Sequence, residues 1–212
     1  MGVALITPFK EDDSVDYDAL LRLVDYQLQN GTDFLCVLGT TAETPTLTKE
    51  EKSKIKKLVV ERVNGQIPIL LGVGSNCTRT VIETLQDEDM MSGVDAVLVA
   101  VPYYNKPSQE GLYQHFCAVA EASPVPVILY NVPKRTGVNL LPETTRRIYD
   151  AHPDKIMGIK EACNSVEQFT ETVNIANGDF AVISGDDDLA YEMMKAGGDG
   201  LISVASNAWP KE

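Results

Sequence analysis

The stretch Ser92-Gly93-Val94-Asp95-Ala96 joins a helical pattern to an apolar run at residues 96–101, and this type of joint decides the fold. Similar joints occur at Asn30-Gly31-Thr32-Asp33-Phe34 and at Ala196-Gly197-Gly198-Asp199-Gly200. In each joint a glycine stands where a left-handed residue commonly ends a helix. The recurrence predicts a repeated unit in which a helix leads into a strand, so the strands are parallel and their crossovers right-handed.

Short apolar, β-branched runs with the character of strands recur along the chain. There are eight, at residues 3–7, 34–38, 67–73, 96–101, 125–130, 155–159, 180–184 and 201–204. Eight such units predict a closed (β/α)₈ TIM barrel with eight parallel strands. A doubly wound open sheet is the alternative. It is disfavoured because no run is followed by the glycine-rich phosphate motifs of that fold.

Amphipathic segments separate the runs. Asp16 can cap a helix with apolar residues at 20–28, and Thr48 with Glu51 has the spacing of a capping box. Further helical patterns lie at residues 78–91, 109–122, 142–151, 166–176 and 187–196.

The length of the chain allows one domain but leaves the barrel incomplete. A full (β/α)₈ barrel usually has about 250 residues, whereas this chain has 212. The segment after the eighth run, ending Asn207-Ala208-Trp209-Pro210-Lys211-Glu212, is too short for another helix. We therefore expect a single barrel domain over residues 1–212, truncated at its C-terminus. The eighth helix would be missing, and apolar surface would be open where the last strand meets the first.

The charge balance argues against nucleic acid as a partner. The chain has 18 Lys+Arg and 31 Asp+Glu, a formal net charge of −13, and an acidic chain repels phosphate backbones. The densest basic stretch, residues 49–57, alternates lysine with glutamate as a solvated helix face does.

Other broad classes are excluded by composition and pattern. No apolar run reaches the ~18 residues of a membrane helix, and the N-terminus lacks the basic region of a signal peptide. The 4 cysteines form no CxxC, which fits a reduced, cytoplasmic compartment better than a disulfide framework. The 2 histidines have no ligand-like spacing, so we expect no metal site.

Lys160 is the sharpest candidate for chemistry. Active sites of such barrels lie at the C-terminal ends of the strands, and Lys160 ends the apolar segment Ile156-Met157-Gly158-Ile159. A lysine that points into the barrel is desolvated, which favours the neutral amine that a Schiff-base nucleophile requires. The alternative is a strand-end lysine whose amine reaches solvent.

Further polar residues follow other strands. Thr40 and Thr41 come after a glycine and could hold a carboxylate, or form a simple turn. Tyr130 ends its strand and is a candidate proton relay, and Arg135 on the next loop could bind a carboxylate bidentately. Tyr104, with Tyr103 before it, could belong to the core or to an interface.

The acidic run Asp186-Asp187-Asp188 follows the seventh predicted strand. Three neighbouring carboxylates could bind a metal ion. The interpretation we favour is that the run caps the N-terminus of the next helix.

Together these motifs resemble one family, the dihydrodipicolinate synthase and N-acetylneuraminate lyase family of class I aldolases. The resemblance extends over residues 2–207. The ending Arg135-Thr136-Gly137 resembles the synthase branch rather than the sialic-acid lyases. The matching motifs are Gly39-Thr40-Thr41-Ala42-Glu43, Pro102-Tyr103-Tyr104-Asn105, Tyr130-Asn131-Val132-Pro133-Lys134-Arg135-Thr136-Gly137, Gly158-Ile159-Lys160-Glu161-Ala162 and Ser184-Gly185-Asp186-Asp187.

The resemblance implies a lyase of lysine and diaminopimelate biosynthesis. Lys160 would form a Schiff base with pyruvate, and the resulting enamine would attack aspartate semialdehyde to give 4-hydroxy-tetrahydrodipicolinate. No external cofactor is implied, because the lysine itself supplies the electron sink.

The resemblance also implies roles for individual residues. Tyr130 would carry protons, and Thr40 would link it to Tyr104 of a neighbouring subunit in a homotetramer or dimer. Thr41 and the main chain near Ile202 would hold the pyruvate carboxylate. Arg135 would hold the semialdehyde carboxylate, with Gly185 and Asp186 nearby.

The sequence departs from the family pattern at a few positions. Ala42 replaces a glycine, a mild change if its φ is negative. Lys49 and Lys52, with Thr80, stand where lysine-inhibited members bind the effector, and two cations would disfavour a cationic ligand. We therefore expect weak or no inhibition by lysine.

Two other functions stay open. One is a pyruvate-dependent aldolase of the same family that acts on a sugar acid. The other is a catalytically impaired barrel fragment that keeps the motifs but has lost turnover.

Overall fold

The computed structural model describes residues 1–176 and 180–211; residue 212, the last of the predicted domain, lies outside the described residues. Eight strands in the described part pair in sequence order as a closed barrel, and each pairing is parallel. The strands are β1 (Gly2–Ala4), β2 (Phe34–Val37), β3 (Ile69–Gly72), β4 (Ala96–Ala100), β5 (Val127–Asn131), β6 (Ile156–Glu161), β7 (Ala181–Ser184) and β8 (Gly200–Ser203). The predicted TIM barrel is confirmed, and the open-sheet alternative is excluded.

Helices alternate with the strands. They are α1 (Tyr17–Gln29), α2 (Lys49–Val63), α3 (Thr78–Leu85), α4 (Glu88–Met91), α5 (Gln109–Ala122), α6 (Pro133–Thr136), α7 (Pro142–Ala151), α8 (Val166–Ile175) and α9 (Ala190–Lys195). Short 3₁₀ turns lie at Thr40–Ala42, Thr44–Thr46 and Ala205–Asn207. No helix of the described residues has the length and apolarity needed to cross a membrane.

Local signals in the sequence account for the ends of several helices. The Asp16 side chain accepts a hydrogen bond from the N–H of Ala19 at the start of α1. Thr48 and Glu51 form the complete capping box at the start of α2. Gly31, Gly93 and Gly197 take φ values of 78°, 75° and 99° in the three joints, as the pattern predicts for left-handed helix ends.

One predicted helix is divided into two helices in the structure. The pattern at residues 78–91 predicts a single helix, but the structure has α3 and α4 with a break at Gln86 and Asp87. The Asp87 side chain accepts a hydrogen bond from the N–H of Met90. It therefore caps a new helix where the first one ends.

The barrel closes where β1 pairs with β8, in the register Gly2↔Ile202 and Val3↔Ser203. Asn207 reinforces this seam, because its Nδ2 donates to the carbonyl oxygen of Ala4 at 2.8 Å and its Oδ1 accepts from the N–H of Ile6 at 3.2 Å. Three aromatic residues on α1, on α9 and after β8 remain exposed: Tyr26 (41%), Tyr191 (70%) and Trp209 (62%).

The buried side chains form two clusters. The larger one packs the helices against the outside of the barrel. The smaller one is built from strand residues of alternating position and their neighbours, which places it inside the barrel. It contains Ala4, Cys36, Leu70, Leu98, Ile128, Tyr130, Val132, Ala162 and Ile202. Tyr130 thus stands at the boundary between the packed interior and the open end of the barrel.

Candidate active site

Lys160 and Tyr130 are neighbours across β5 and β6. The strands pair with Tyr130 opposite Lys160, and the lysine Nζ lies 4.6 Å from the centroid of the tyrosine ring. Lys160 is only 4% exposed, so its amine does not reach solvent as the alternative interpretation required. The two side chains meet inside the barrel at its C-terminal end.

The surroundings of Lys160 favour its neutral amine. Burial is the largest effect and lowers its pKa, while Cys36, Asp186 and Asp187 oppose that shift and Arg135 adds to it. A lowered pKa increases the fraction of neutral amine at a given pH. Only the neutral amine has the lone pair that attacks a carbonyl carbon.

The Tyr130 hydroxyl is hydrogen-bonded to Thr40. Burial raises the pKa of Tyr130 to about 12, which Arg135 partly opposes. The phenol is therefore protonated near neutral pH. A phenol that shares a hydrogen bond with a hydroxyl can pass a proton in either direction beside Lys160.

Thr40 and Thr41 lie in the 3₁₀ turn that follows β2, so the simple turn considered for them is present. Thr40 also contacts Tyr130, while Thr41 is half-buried. Ala42 lies in the same turn and is not among the described residues with positive φ. The substitution of glycine by alanine is therefore compatible with the turn.

A cleft of about 460 Å³ lies next to Tyr130, and Thr40, Tyr130 and Arg135 line it. Arg135 lies on α6, directly after β5. Lys160 and Thr41 are not among the described residues that line the cleft. Tyr130 is therefore the residue that the cleft shares with the Lys160–Tyr130 pair.

The end of β7 packs closely against Lys160. The N–H of Gly185 donates to the carbonyl oxygen of Glu161 at 2.8 Å, and a Cβ at Gly185 would lie 2.8 Å from Cε of Lys160. Next to it, Oδ2 of Asp186 is buried and has no hydrogen-bond partner among the described residues. Ile202 on β8 is fully buried in the interior cluster.

The favoured interpretation of the acidic run is wrong. The residue that precedes α9 is Leu189, and no side chain caps that helix. Instead, Oδ2 of Asp187 accepts hydrogen bonds from the N–H groups of Val204 and Ala205, at 3.0 Å and 2.9 Å. It thus ties the β7 loop to the chain after β8. No group of three His, Cys, Asp or Glu in residues 1–176 and 180–211 is arranged to hold a metal ion.

Tyr104 lies apart from the other candidates within this chain. Its side chain is 87% exposed, which excludes the core position considered for it. Its backbone is left-handed, with φ 68°, and its N–H donates to the carbonyl oxygen of Thr136 at 3.2 Å. Its neighbour Tyr103 lines the cleft instead.

The structure adds two residues that pattern reasoning did not select. Cys36 is buried inside the barrel and interacts electrostatically with Lys160. Glu161 is fully buried directly after Lys160. Strand alternation contains the signal for both, because it sets which face each residue takes.

The family model described as the dihydrodipicolinate synthetase family matches residues 1–212. The chain belongs to this family. One curated relative is the 4-hydroxy-tetrahydrodipicolinate synthase of Phocaeicola vulgatus. It is 68% identical over 212 residues, which cover 100% of this chain and 71% of the relative.

Solved structures of the dihydrodipicolinate synthetase family agree with the fold. A dihydrodipicolinate synthase described as the first monomeric variant is 46% identical with a TM-score of 0.94, over 99% of this chain and 70% of that one. The Acinetobacter baumannii enzyme, in complex with pyruvate, is 45% identical with a TM-score of 0.93, over 99% of this chain and 71% of that one.

Proposed function

We propose that this chain condenses pyruvate with L-aspartate 4-semialdehyde, the reaction of a 4-hydroxy-tetrahydrodipicolinate synthase. The observation that carries the proposal is the buried amine of Lys160 against the Tyr130 ring, in a chain 68% identical to a synthase of that name. The chain would then be a lyase of lysine and diaminopimelate biosynthesis.

The first half of the reaction forms an imine. The neutral Nζ of Lys160 attacks the ketone carbon of pyruvate, and the carbinolamine loses water. Tyr130 donates a proton to the departing hydroxyl and is reprotonated through Thr40. The protonated imine withdraws electrons from the neighbouring methyl group, so a methyl proton is lost and an enamine forms. This electron sink is why we propose that no external cofactor is required.

The second half joins the two substrates. The enamine carbon attacks the aldehyde carbon of the semialdehyde, and Tyr130 protonates the resulting alkoxide. The amino group of the semialdehyde then attacks the imine carbon, closes the ring and releases the amine of Lys160. The product, 4-hydroxy-tetrahydrodipicolinate, keeps the hydroxyl formed from the aldehyde.

The carboxylates of the substrates have separate partners in this proposal. Thr41 and the main chain at Ile202 hold the carboxylate of pyruvate. Arg135 binds that of the semialdehyde, with Gly185 and Asp186 nearby. Arginine suits this role because its two N–H groups match the two oxygens of a carboxylate.

We further propose that the working form is a cytoplasmic homo-oligomer, a tetramer or a dimer. The 87% exposure of Tyr104 supports this, because a phenol so exposed is free to contact a partner copy. We also infer that residues 1–212 act as one domain.

Borohydride trapping with pyruvate tests the proposal. Reduction of the imine fixes the adduct on the lysine, and intact mass with peptide mapping locates it. We expect an adduct on Lys160 in the wild-type chain, none in Lys160→Ala, and a normal adduct in Lys57→Ala, whose side chain is 72% exposed on α2. A folded wild-type chain without an adduct would contradict the proposal.

A product assay then separates the remaining alternatives. Turnover with aspartate semialdehyde, reduced in Arg135→Ala chiefly through a higher KM for that substrate, is the expected result. Turnover with a sugar acid instead would indicate another aldolase of the family. A trapped adduct without turnover on any aldehyde would indicate a catalytically impaired barrel.

A further inference from the structure

Behind the reactive pair lies a second pair of side chains, Asn131 and Glu161. Each directly follows a residue of the first pair, and the strands place Asn131 opposite Glu161 just as they place Tyr130 opposite Lys160. Because successive side chains of a strand point to opposite faces, the second pair lies on the outer face of the barrel. Both residues are fully buried, at 0% exposure.

Hydrogen bonds join this pair across the two strands. Nδ2 of Asn131 donates to Oε1 of Glu161 at 2.8 Å. The same amide nitrogen donates to Oδ1 of Asn139 at 2.8 Å, and its Oδ1 accepts from the N–H of Leu140 at 3.0 Å. Asn131 thus connects β6 to the loop that follows α6.

Gln168 on α8 completes the network. Its Nε2 donates to Oε2 of Glu161 at 3.3 Å, and its Oε1 accepts from Nδ2 of Asn139 at 2.7 Å. The carboxylate therefore has partners on β5 and on α8.

This arrangement is not what barrel stability alone requires. Burial raises the pKa of Glu161 to about 7, and no Lys, Arg or His in the described residues forms an ion pair with it. A buried ionisable group without a cation stabilises a fold less well than apolar side chains of similar size. The network instead holds β5 and β6 in a fixed relative position next to Tyr130 and Lys160.

We propose that Glu161 is a positioning residue: through Asn131 and Gln168 it fixes β5 and β6 so that the Lys160 amine stays against the Tyr130 ring during imine formation. Glu161 touches neither substrate in this role. The inference rests on the proposed function, since it concerns the rate of the Lys160 imine. A displacement of about 1 Å in a catalytic group can reduce a rate on the order of a hundredfold.

The test is Glu161→Gln in the full chain. The new amide oxygen still accepts from Asn131, but its NH₂ group faces the NH₂ of Gln168. The second variant, Glu161→Gln with Gln168→Glu, exchanges carboxylate and amide and restores donor to acceptor between these two residues. It gives up the bonds from Nε2 of Gln168 to Leu140 and Asn139, whose oxygens keep Asn131 as a donor. The readout is the single-turnover rate of adduct formation with pyruvate under borohydride, measured against pyruvate concentration.

We expect Glu161→Gln to slow adduct formation at saturating pyruvate by about tenfold or more. The pyruvate concentration that gives half the maximal rate should change by less than about twofold. The double variant should regain most of the lost rate. Gln27→Leu is the matched structural control. Gln27 is fully buried and bonded to Thr32 and Ser206, away from the reactive pair, so its folded fraction should react at the wild-type rate.

Three results would overturn the inference. The first is a wild-type rate of adduct formation in folded Glu161→Gln. The second is a change only in the pyruvate concentration that gives half the maximal rate. The third is a reduced rate that the double variant does not restore. If Glu161→Gln does not fold, Gln168→Met replaces it, and a wild-type rate in that variant would equally contradict the proposal. A wild-type chain that forms no adduct at all would instead contradict the proposed function.

Discussion

Gly185 lies against the aliphatic chain of Lys160, so closely that a Cβ on the glycine would be 2.8 Å from the lysine Cε. The same Cβ would lie 2.9 Å from Cβ of Ala162. The end of β7 therefore has no room for a side chain while the lysine keeps its position.

Gly185→Ala is expected to displace Lys160 and reduce pyruvate adduct formation by about tenfold or more, since a positioned nucleophile is sensitive to shifts of this size. The measurement is borohydride trapping on the folded variant. Gly200→Ala on β8 is the matched control, because a Cβ there meets nothing within 4 Å. Equal trapping rates in the two variants would contradict the expected displacement.

Tyr130→Phe is expected to lower kcat by about 10²–10⁴, the usual range for loss of a general acid–base group. The ring and its packing against Lys160 remain, but the hydroxyl bonded to Thr40 is gone. Steady-state kinetics with both substrates measure the effect. Thr40→Val, which keeps the tyrosine and removes its partner, should show a smaller loss. A kcat in Tyr130→Phe within a few-fold of the wild type would contradict the proton-relay role.

His115 is expected to make the protein sensitive to acid. It is buried on α5, with Nδ1 bonded to Thr78 and no partner for Nε2 among the described residues. Burial lowers its pKa from 6.5 to about 4. Because the folded-state pKa is the lower one, stability is fully present above about pH 6.5 and is lost as pH falls toward 4.

Urea denaturation between pH 7 and pH 4 measures this loss. The wild-type free energy of unfolding should fall more steeply than that of His115→Gln, by up to about 3 kcal/mol over the range. Carboxylates that titrate in this range are common to both proteins, so the difference isolates the histidine. Parallel curves would contradict the expectation.

Lysine is expected to inhibit this chain weakly or not at all. Lys52 and Thr80 line the cleft, and Nζ of the exposed Lys49 lies 3.6 Å from Oδ2 of Asp87. Cations at these positions repel a cationic effector. Initial rates at increasing lysine concentration test this, with Lys49→Ala/Lys52→Ala for comparison. Half-inhibition of the wild-type chain by sub-millimolar lysine would refute the expectation.

Much of the fold could be predicted because its determinants are local. Gly93 ends a helix within its own joint, and Thr48 caps a helix through a residue three positions away. Lys160 could be selected because an ionisable residue ends an apolar segment. Such signals need only the neighbouring sequence, so the strand order and the choice of Lys160 as a candidate could be inferred without knowledge of packing.

The remaining features depend on residues that meet only in the folded barrel. Asp187 caps the chain 17 residues further on, at Val204, rather than the helix that follows it. The network of Glu161 requires β5, β6 and α8 to be in place together. The steric fit of Gly185 to Lys160 likewise depends on the pairing of β6 with β7. No local pattern contains these distances.

The seam between β1 and β8 affects when the barrel can close during folding. Asn207 and Ala4, which bond across it, are 203 positions apart, and contacts between residues so distant in sequence slow folding because a long loop must close first. Ile202 on β8 pairs with Gly2 on β1. Because translation produces β1 before β8, the first strand stays without this partner until all eight strands of the barrel have been synthesised, and the ring can close only then.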